Sequence, residues 1–115
     1  MRITGITFVG TRTDARPAMA EFMRDLLGLP QVMSTEGMDA EVFALPDGST
    51  FAVTSRDADD DDRTVGFSVD DIEEARQALE AAGIWTDDEV SAVGSLRYLH
   101  FRAPDGQLYE LVEEV

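Results

Sequence analysis

Four side chains in the last fifth of the chain have the types and spacing to do chemistry together. Tyr98, His100 and Arg102 alternate along a strand-like stretch, so they share one face of it. The Asp105-Gly106 pair that follows is a hairpin signal, which turns a second strand back beside the first and sets Glu110 opposite. His100 is the only histidine, and an imidazole can give or take a proton near neutral pH. Glu110 could bind a ligand or act as a general base. A carboxylate in an apolar setting is costly alone, so Glu110 should have a partner. Each residue also has a plainer reading. His100 could be a half-buried strand histidine making one hydrogen bond, and Glu110 could be held by a neighbouring arginine.

The aromatic residues offer a second set of candidates. Phe8, Phe43, Phe51, Phe67, Trp85 and Phe101 could line a cavity that stacks a flat organic molecule, or could simply be core. Trp85 stands apart, because the acid-flanked run Trp85-Thr86-Asp87-Asp88-Glu89 reads as a loop. A tryptophan there would cover a cavity mouth or a dimer seam. Other chemistries lack their residues. There is no phosphate-cradling glycine loop, no Gly-x-Ser-x-Gly elbow and no His-Glu-x-x-His helix. Without cysteine there are no disulfides, zinc thiolates or thiol nucleophiles, and a reducing cytoplasm is the expected location.

Composition narrows the partners. The 115 residues suit one domain with a modest core, and 43% are hydrophobic, too many for a disordered chain. The formal net charge is -15, from 24 acids against 9 bases. Such a surface repels phosphate backbones and anionic lipid, so neither nucleic acid nor membrane is expected as a partner. No apolar run reaches the roughly 18 residues of a membrane helix. The opening Met1-Arg2-Ile3-Thr4-Gly5-Ile6 enters a strand-like stretch directly and does not read as a secretion signal.

The elements that must position these side chains come in two passes. In the first, a strand over Ile3 to Thr11 leads to a helix from about Asp14 to Leu27. Met19, Phe22, Met23 and Leu26 form its apolar stripe. Thr13 or Asp14 can cap it, Pro17 suits its first turn, and Gly28 supplies the left-handed stop. Strands then read over Gln31 to Thr35, Ala40 to Leu45 and Thr50 to Ser55. In the second pass the strand is Thr64 to Val69. Asp70 caps the helix with Glu73 completing a capping box, Ile72, Ala75 and Leu79 form the stripe, and Gly83 ends it. Strands over Glu89 to Val93, Arg97 to Arg102 and Leu108 to Glu113 close the chain. Pro46-Asp47-Gly48 and Pro104-Asp105-Gly106 hold matching places in the two passes, the mark of an internal repeat. The acidic run Asp57-Ala58-Asp59-Asp60-Asp61-Asp62 divides them as an exposed connector. Its acids are consecutive and lack the spacing of a calcium loop.

The expected organisation is therefore one domain over 1–115, with module one at 1–56, the acidic connector at 57–63 and module two at 64–115. Neither module can bury its sheet alone, so pairing of modules or of chains must complete the core.

This β-α-β-β-β order, repeated, resembles the vicinal oxygen chelate superfamily of glyoxalase, bleomycin-resistance and extradiol dioxygenase proteins. The likeness rests on Leu26-Leu27-Gly28-Leu29, Phe67-Ser68-Val69-Asp70-Asp71, Ala81-Ala82-Gly83-Ile84 and above all Phe101-Arg102-Ala103-Pro104-Asp105-Gly106-Gln107-Leu108-Tyr109-Glu110-Leu111. It implies an α+β fold in which two βαβββ modules form a cupped mixed sheet, a small organic molecule as ligand, and a homodimer. In metal enzymes of this kind, the first and last strand of each module supply a His or Glu. The matching positions here are about Thr7, Thr64, Ala52 and Glu110, and a one-residue insertion in the first helix would move Thr7 by one. Among these only Glu110 is a good metal ligand. The expectation is a metal-independent small-molecule binder with no cofactor. Its ligand would meet Tyr98, Arg102, Phe51, Trp85, Thr7, Thr64 and Ala52 as well as Glu110 and His100. The alternative is a lyase, isomerase or dioxygenase, either metal-dependent or built on Glu110 and His100.

Overall fold

A computed structural model of the protein describes residues 1–34, 40–56 and 63–115. The order is β1 (Ile3–Thr13), α1 (Arg16–Glu21), a π-helical turn (Phe22–Leu26), β2 (Gln31–Ser34), β3 (Ala40–Ala44) and β4 (Thr50–Ser55). Then come β5 (Arg63–Val69), α2 (Ile72–Ala81), β6 (Ser91–Val93), β7 (Leu96–Arg102) and β8 (Leu108–Glu114). This is the expected α+β fold of two βαβββ modules. The acidic run 57–62 and Thr35 lie outside the described residues. Among the described residues no helix is long and apolar enough to cross a membrane.

The two modules pair their strands alike. In the first the order is β2-β3-β4-β1, and in the second β1-β5-β8-β7-β6. The first and last strands of each module run parallel, β1 with β4 and β5 with β8, and the pairs β2–β3, β3–β4, β6–β7 and β7–β8 are antiparallel. β1 is divided between two compact units, one formed by 8–63 and the other by 1–7 with 64–115. In the second unit Thr4 Oγ1 donates to Ser68 Oγ at 2.8 Å, and Ser68 Oγ donates to the Gly5 carbonyl at 3.2 Å.

Each helix covers one face of its own strands. α2 buries Ile72 and Ala75 against Val69, Leu99 and Leu111, with Phe67, Leu79 and Phe101 packed around them. α1 and the π turn bury Ala20 and Met23 against Phe43 and Val53, with Met19 and Phe51 alongside. Burial of such side chains is the main force holding each helix to its sheet.

The helix starts differ from expectation. The cap of α2 is Asp71, one residue later than the expected Asp70. Asp71 is extended (φ -141, ψ 102), and its side chain accepts from the Glu74 backbone N–H at 3.1 Å. Asp70 instead meets the exposed Arg2 at 3.4 Å. In the first module neither Thr13 nor Asp14 caps the helix. Ala15 is the N-cap residue and provides no side-chain bond, while Thr13 Oγ1 accepts from the Ala15 N–H in the turn before it. The expected continuous helix to Leu27 becomes a π turn after Glu21, where the Leu27 N–H reaches back five residues to the Phe22 carbonyl at 3.0 Å. One inserted residue in an α-helix is commonly absorbed this way.

The stops and turns follow expectation. Gly28 and Gly83 take φ values of 69° and 75°, the left-handed conformation that ends a helix. Both hairpins are built by the same chemistry. Asp47 accepts from the Ser49 N–H at 2.9 Å and Asp105 from the Gln107 N–H at 3.0 Å, with Gly48 and Gly106 again left-handed.

Candidate functional site

In the second module the β7–β8 hairpin sets His100 directly opposite Glu110, Tyr98 opposite Val112 and Arg102 opposite Leu108. Leu99 and Leu111 point to α2, so His100 and Glu110 lie on the other face of the sheet. His100 Nε2 is 3.4 Å from Glu110 Oε2. Its other ring nitrogen, Nδ1, is 2.8 Å from Asp87 Oδ2. Asp87 belongs to the connection between α2 and β6, and it is bonded to His100 twice more. The His100 backbone N–H donates to Asp87 Oδ2 at 2.9 Å, and the Asp87 N–H donates to the His100 carbonyl at 3.1 Å. An imidazole thus sits between two carboxylates. The Tyr98 ring meets it edge-on, with centroids 5.7 Å apart.

Electrostatics favour the imidazolium. The nearby Glu110 carboxylate is the largest influence raising the His100 pKa above its usual range, burial opposes it, and the hydrogen bond to Asp87 raises it further. The Asp87 contact is the shorter.

The remaining expected site residues sit on β1, β4, β5, β7 and the α2–β6 connection. Arg102 turns to the hairpin, where its guanidinium donates to the Gly106 carbonyl at 2.9 Å. Trp85 is 55% exposed, and its carbonyl accepts from the Arg102 N–H at 3.1 Å. Phe51 packs on the helix side of module one with Phe43 and Val53. Phe67 and Phe101 pack on the helix side of module two, each stacked with Tyr109. Thr64 is buried on β5, Ala52 is buried on β4, and Thr7 is half-buried on β1. Asp87 was not among the residues singled out from the sequence. No periodicity links it to a histidine 13 positions away, and its one visible signal was an acid beside Trp85 in a loop. A separate cleft of about 460 Å³ lies in module one between Thr13, Arg16, Glu41, Ser55 and Arg56, none of them an expected site residue.

The family model of the Glyoxalase/Bleomycin resistance protein/Dioxygenase superfamily matches residues 5–111. The chain belongs to that superfamily. Its fold is shared with solved members. Methylmalonyl-CoA epimerase from Mycobacterium tuberculosis is 19% identical with a TM-score of 0.75, over 98% of this chain and 89% of that one. A single-residue variant of the Streptomyces coelicolor epimerase, in complex with 2-nitronate-propionyl-CoA, is 19% identical with a TM-score of 0.74, over 99% of both chains. A superfamily member from Vibrio splendidus 12B01 is 17% identical with a TM-score of 0.71, over 99% of this chain and 100% of that one. At such identities the likeness is one of fold. No curated protein matches the chain.

Membership raises the question of a metal, which the strand register answers for the positions that the family uses. Val9 faces Phe51 in module one as Val65 faces Tyr109 in module two. Thr64 therefore matches Phe8, one residue beyond the expected Thr7, and Glu110 matches Ala52. The four positions hold Phe8, Ala52, Thr64 and Glu110, a single carboxylate. In module one the space is also taken. A Cβ added to Gly10, the neighbour of Ala52 across the pair, would come within 2.9 Å of the Phe8 ring, so the ring lies over that glycine. Among the described residues no group of three or more His, Cys, Asp or Glu side chains could hold a metal ion. A divalent ion needs several such donors converging on one point, and these residues do not fit one.

Proposed function

We propose that this superfamily member binds a small organic molecule without a metal, on the polar face of the second module where Tyr98, His100 and Glu110 meet. The observation that carries this reading is the contrast at equivalent positions. Module one offers Phe8, Gly10 and Ala52, while module two keeps Glu110 beside His100. Glu110 supplies an acceptor and the imidazole a donor, and the Tyr98 ring supplies an apolar edge, the mixture that small-molecule sites use for orientation. Tag-free protein titrated with Ni²⁺, Mn²⁺, Fe²⁺ and Zn²⁺ should show no metal-dependent rise in melting temperature. Tight binding stabilises the folded state by mass action, so stoichiometric metal with a clear rise would refute the metal-free reading. A screen of small organic molecules should yield one that raises the melting temperature of wild type and less that of Glu110→Gln.

The contact between Glu110 and His100 also favours a second reading, proton transfer such as an isomerisation. Turnover that Glu110→Gln abolishes with the fold intact would support it. The named epimerases act on methylmalonyl-CoA. A polyanionic thioester is a poor match for a chain of net charge -15, so an uncharged or cationic ligand is the better candidate.

A further inference from the structure

His100 has a carboxylate at each ring nitrogen, and the two contacts are unequal. Nδ1 to Asp87 Oδ2 is a full hydrogen bond at 2.8 Å, whereas Nε2 to Glu110 Oε2 is 3.4 Å. Asp87 itself has little freedom. Its Oδ2 accepts from the His100 backbone N–H at 2.9 Å, and its own N–H donates to the His100 carbonyl at 3.1 Å. The segment before it is pinned to the same strand. Thr86 forms a bridge with Phe101, and the Arg102 N–H donates to the Trp85 carbonyl at 3.1 Å. One carboxylate oxygen therefore holds both the main chain and the ring of His100. Ring orientation and tautomer in a histidine are set by what its far nitrogen is bonded to.

We propose that Asp87 is a positioning residue that fixes His100 as the Nδ1–H form and aims Nε2 at Glu110, so that these two side chains hold one exchangeable proton where a ligand would meet them. The role in ligand recognition rests on the binding reading above, but the tautomer does not. With Nδ1–H committed to Asp87, Nε2 and Oε2 would be two acceptors facing each other unless a proton lay between them. Among the described residues Glu110 of β8 and Asp87 of the α2–β6 connection are the charged groups paired with the ring, and Tyr98 of β7 meets its edge.

Because His100 is the only histidine, one set of imidazole signals appears in a long-range ¹H–¹⁵N correlation spectrum of the intact protein. Recorded well above the imidazole titration, wild type should show a protonated Nδ1 and a bare Nε2. Asp87→Ala should exchange the two, with Nε2 becoming the protonated nitrogen, while Glu110→Gln keeps the wild-type pattern. A wild-type ring protonated at Nε2 would overturn the proposal, as would an Asp87→Ala ring that stays protonated at Nδ1. Should Asp87→Ala fail to fold, the wild-type and Glu110→Gln spectra still decide. A correct tautomer with no ligand found in the screen would count against the binding reading and leave the role of Asp87 standing.

Discussion

The two modules share a strand register and a hairpin turn, yet their equivalent interiors have opposite chemistry. Module one places Phe8, Gly10 and Ala52 where module two places Thr64, Gly66 and Glu110. Their helices differ in the same direction. α2 is regular and capped by Asp71, whereas α1 has no side-chain cap and passes into a π turn. Module one is thus a packing half and module two a polar half. A repeat preserves what the backbone needs, namely turns, stops and register, while leaving the side chains on the free face able to diverge.

The largest effects should come from the two cores. Phe43 and Leu99 are fully buried, one in each module. Phe43→Ala should cost about 3–5 kcal/mol and Leu99→Ala about 2–5 kcal/mol, read from urea unfolding. If the modules are separable in energy as in chemistry, each variant will split the transition in two. A single shifted transition in both would mean that they unfold together.

Overpacking tests the filled half of the comparison. Gly10→Ala should cost about 1 kcal/mol, because the new methyl group displaces the Phe8 ring. In a Phe8→Leu background the cost should shrink, and equal costs in both backgrounds would show that the ring does not occupy that space.

At the helix starts, Asp71→Ala should destabilise by about 1 kcal/mol through loss of the bond to the Glu74 N–H. Asp70→Ala should stay within about 0.5 kcal/mol, since its partner Arg2 is exposed. Reversal of that order would restore the cap to Asp70.

The smallest expected effect is one of slope. The folded-state pKa of His100 lies above the ordinary value of 6.5. Its stabilising contribution is therefore complete below that value and disappears as pH rises through the folded pKa. Melting temperature should fall over that window in wild type and fall less in Glu110→Gln. Equal slopes would separate the histidine from the carboxylate.

Much of this comparison was legible beforehand. Two Pro-Asp-Gly turns and two helix-ending glycines fixed the repeat, and β4 begins and ends at Thr50 and Ser55 as read. The pairing of His100 with Glu110 followed from alternation and a hairpin, both short-range rules. What the sequence hid depends on distance or on a one-residue offset. Asp87 reaches His100 across a loop. The cap moved from Asp70 to Asp71 because both are aspartates and only backbone conformation chooses between them. Thr7 gives way to Phe8 because α1 starts from Ala15 and not from Asp14, so the same span that separates Thr64 from the Asp71 cap in module two leads back to Phe8 in module one.

The division of β1 has a consequence for how the chain comes together. Residues 1–7 cluster with 64–115, so they are synthesised well before their partners, with all of 8–63 between. While the chain grows, that stretch is an open strand edge bearing Ile3 and Ile6, which stay 47% and 61% exposed even in the finished fold. Closing a loop of that length comes late and slowly compared with local hairpins. Pairing of residues 1–7 is therefore expected to follow the local hairpins, which an order of hydrogen-exchange protection during refolding would check.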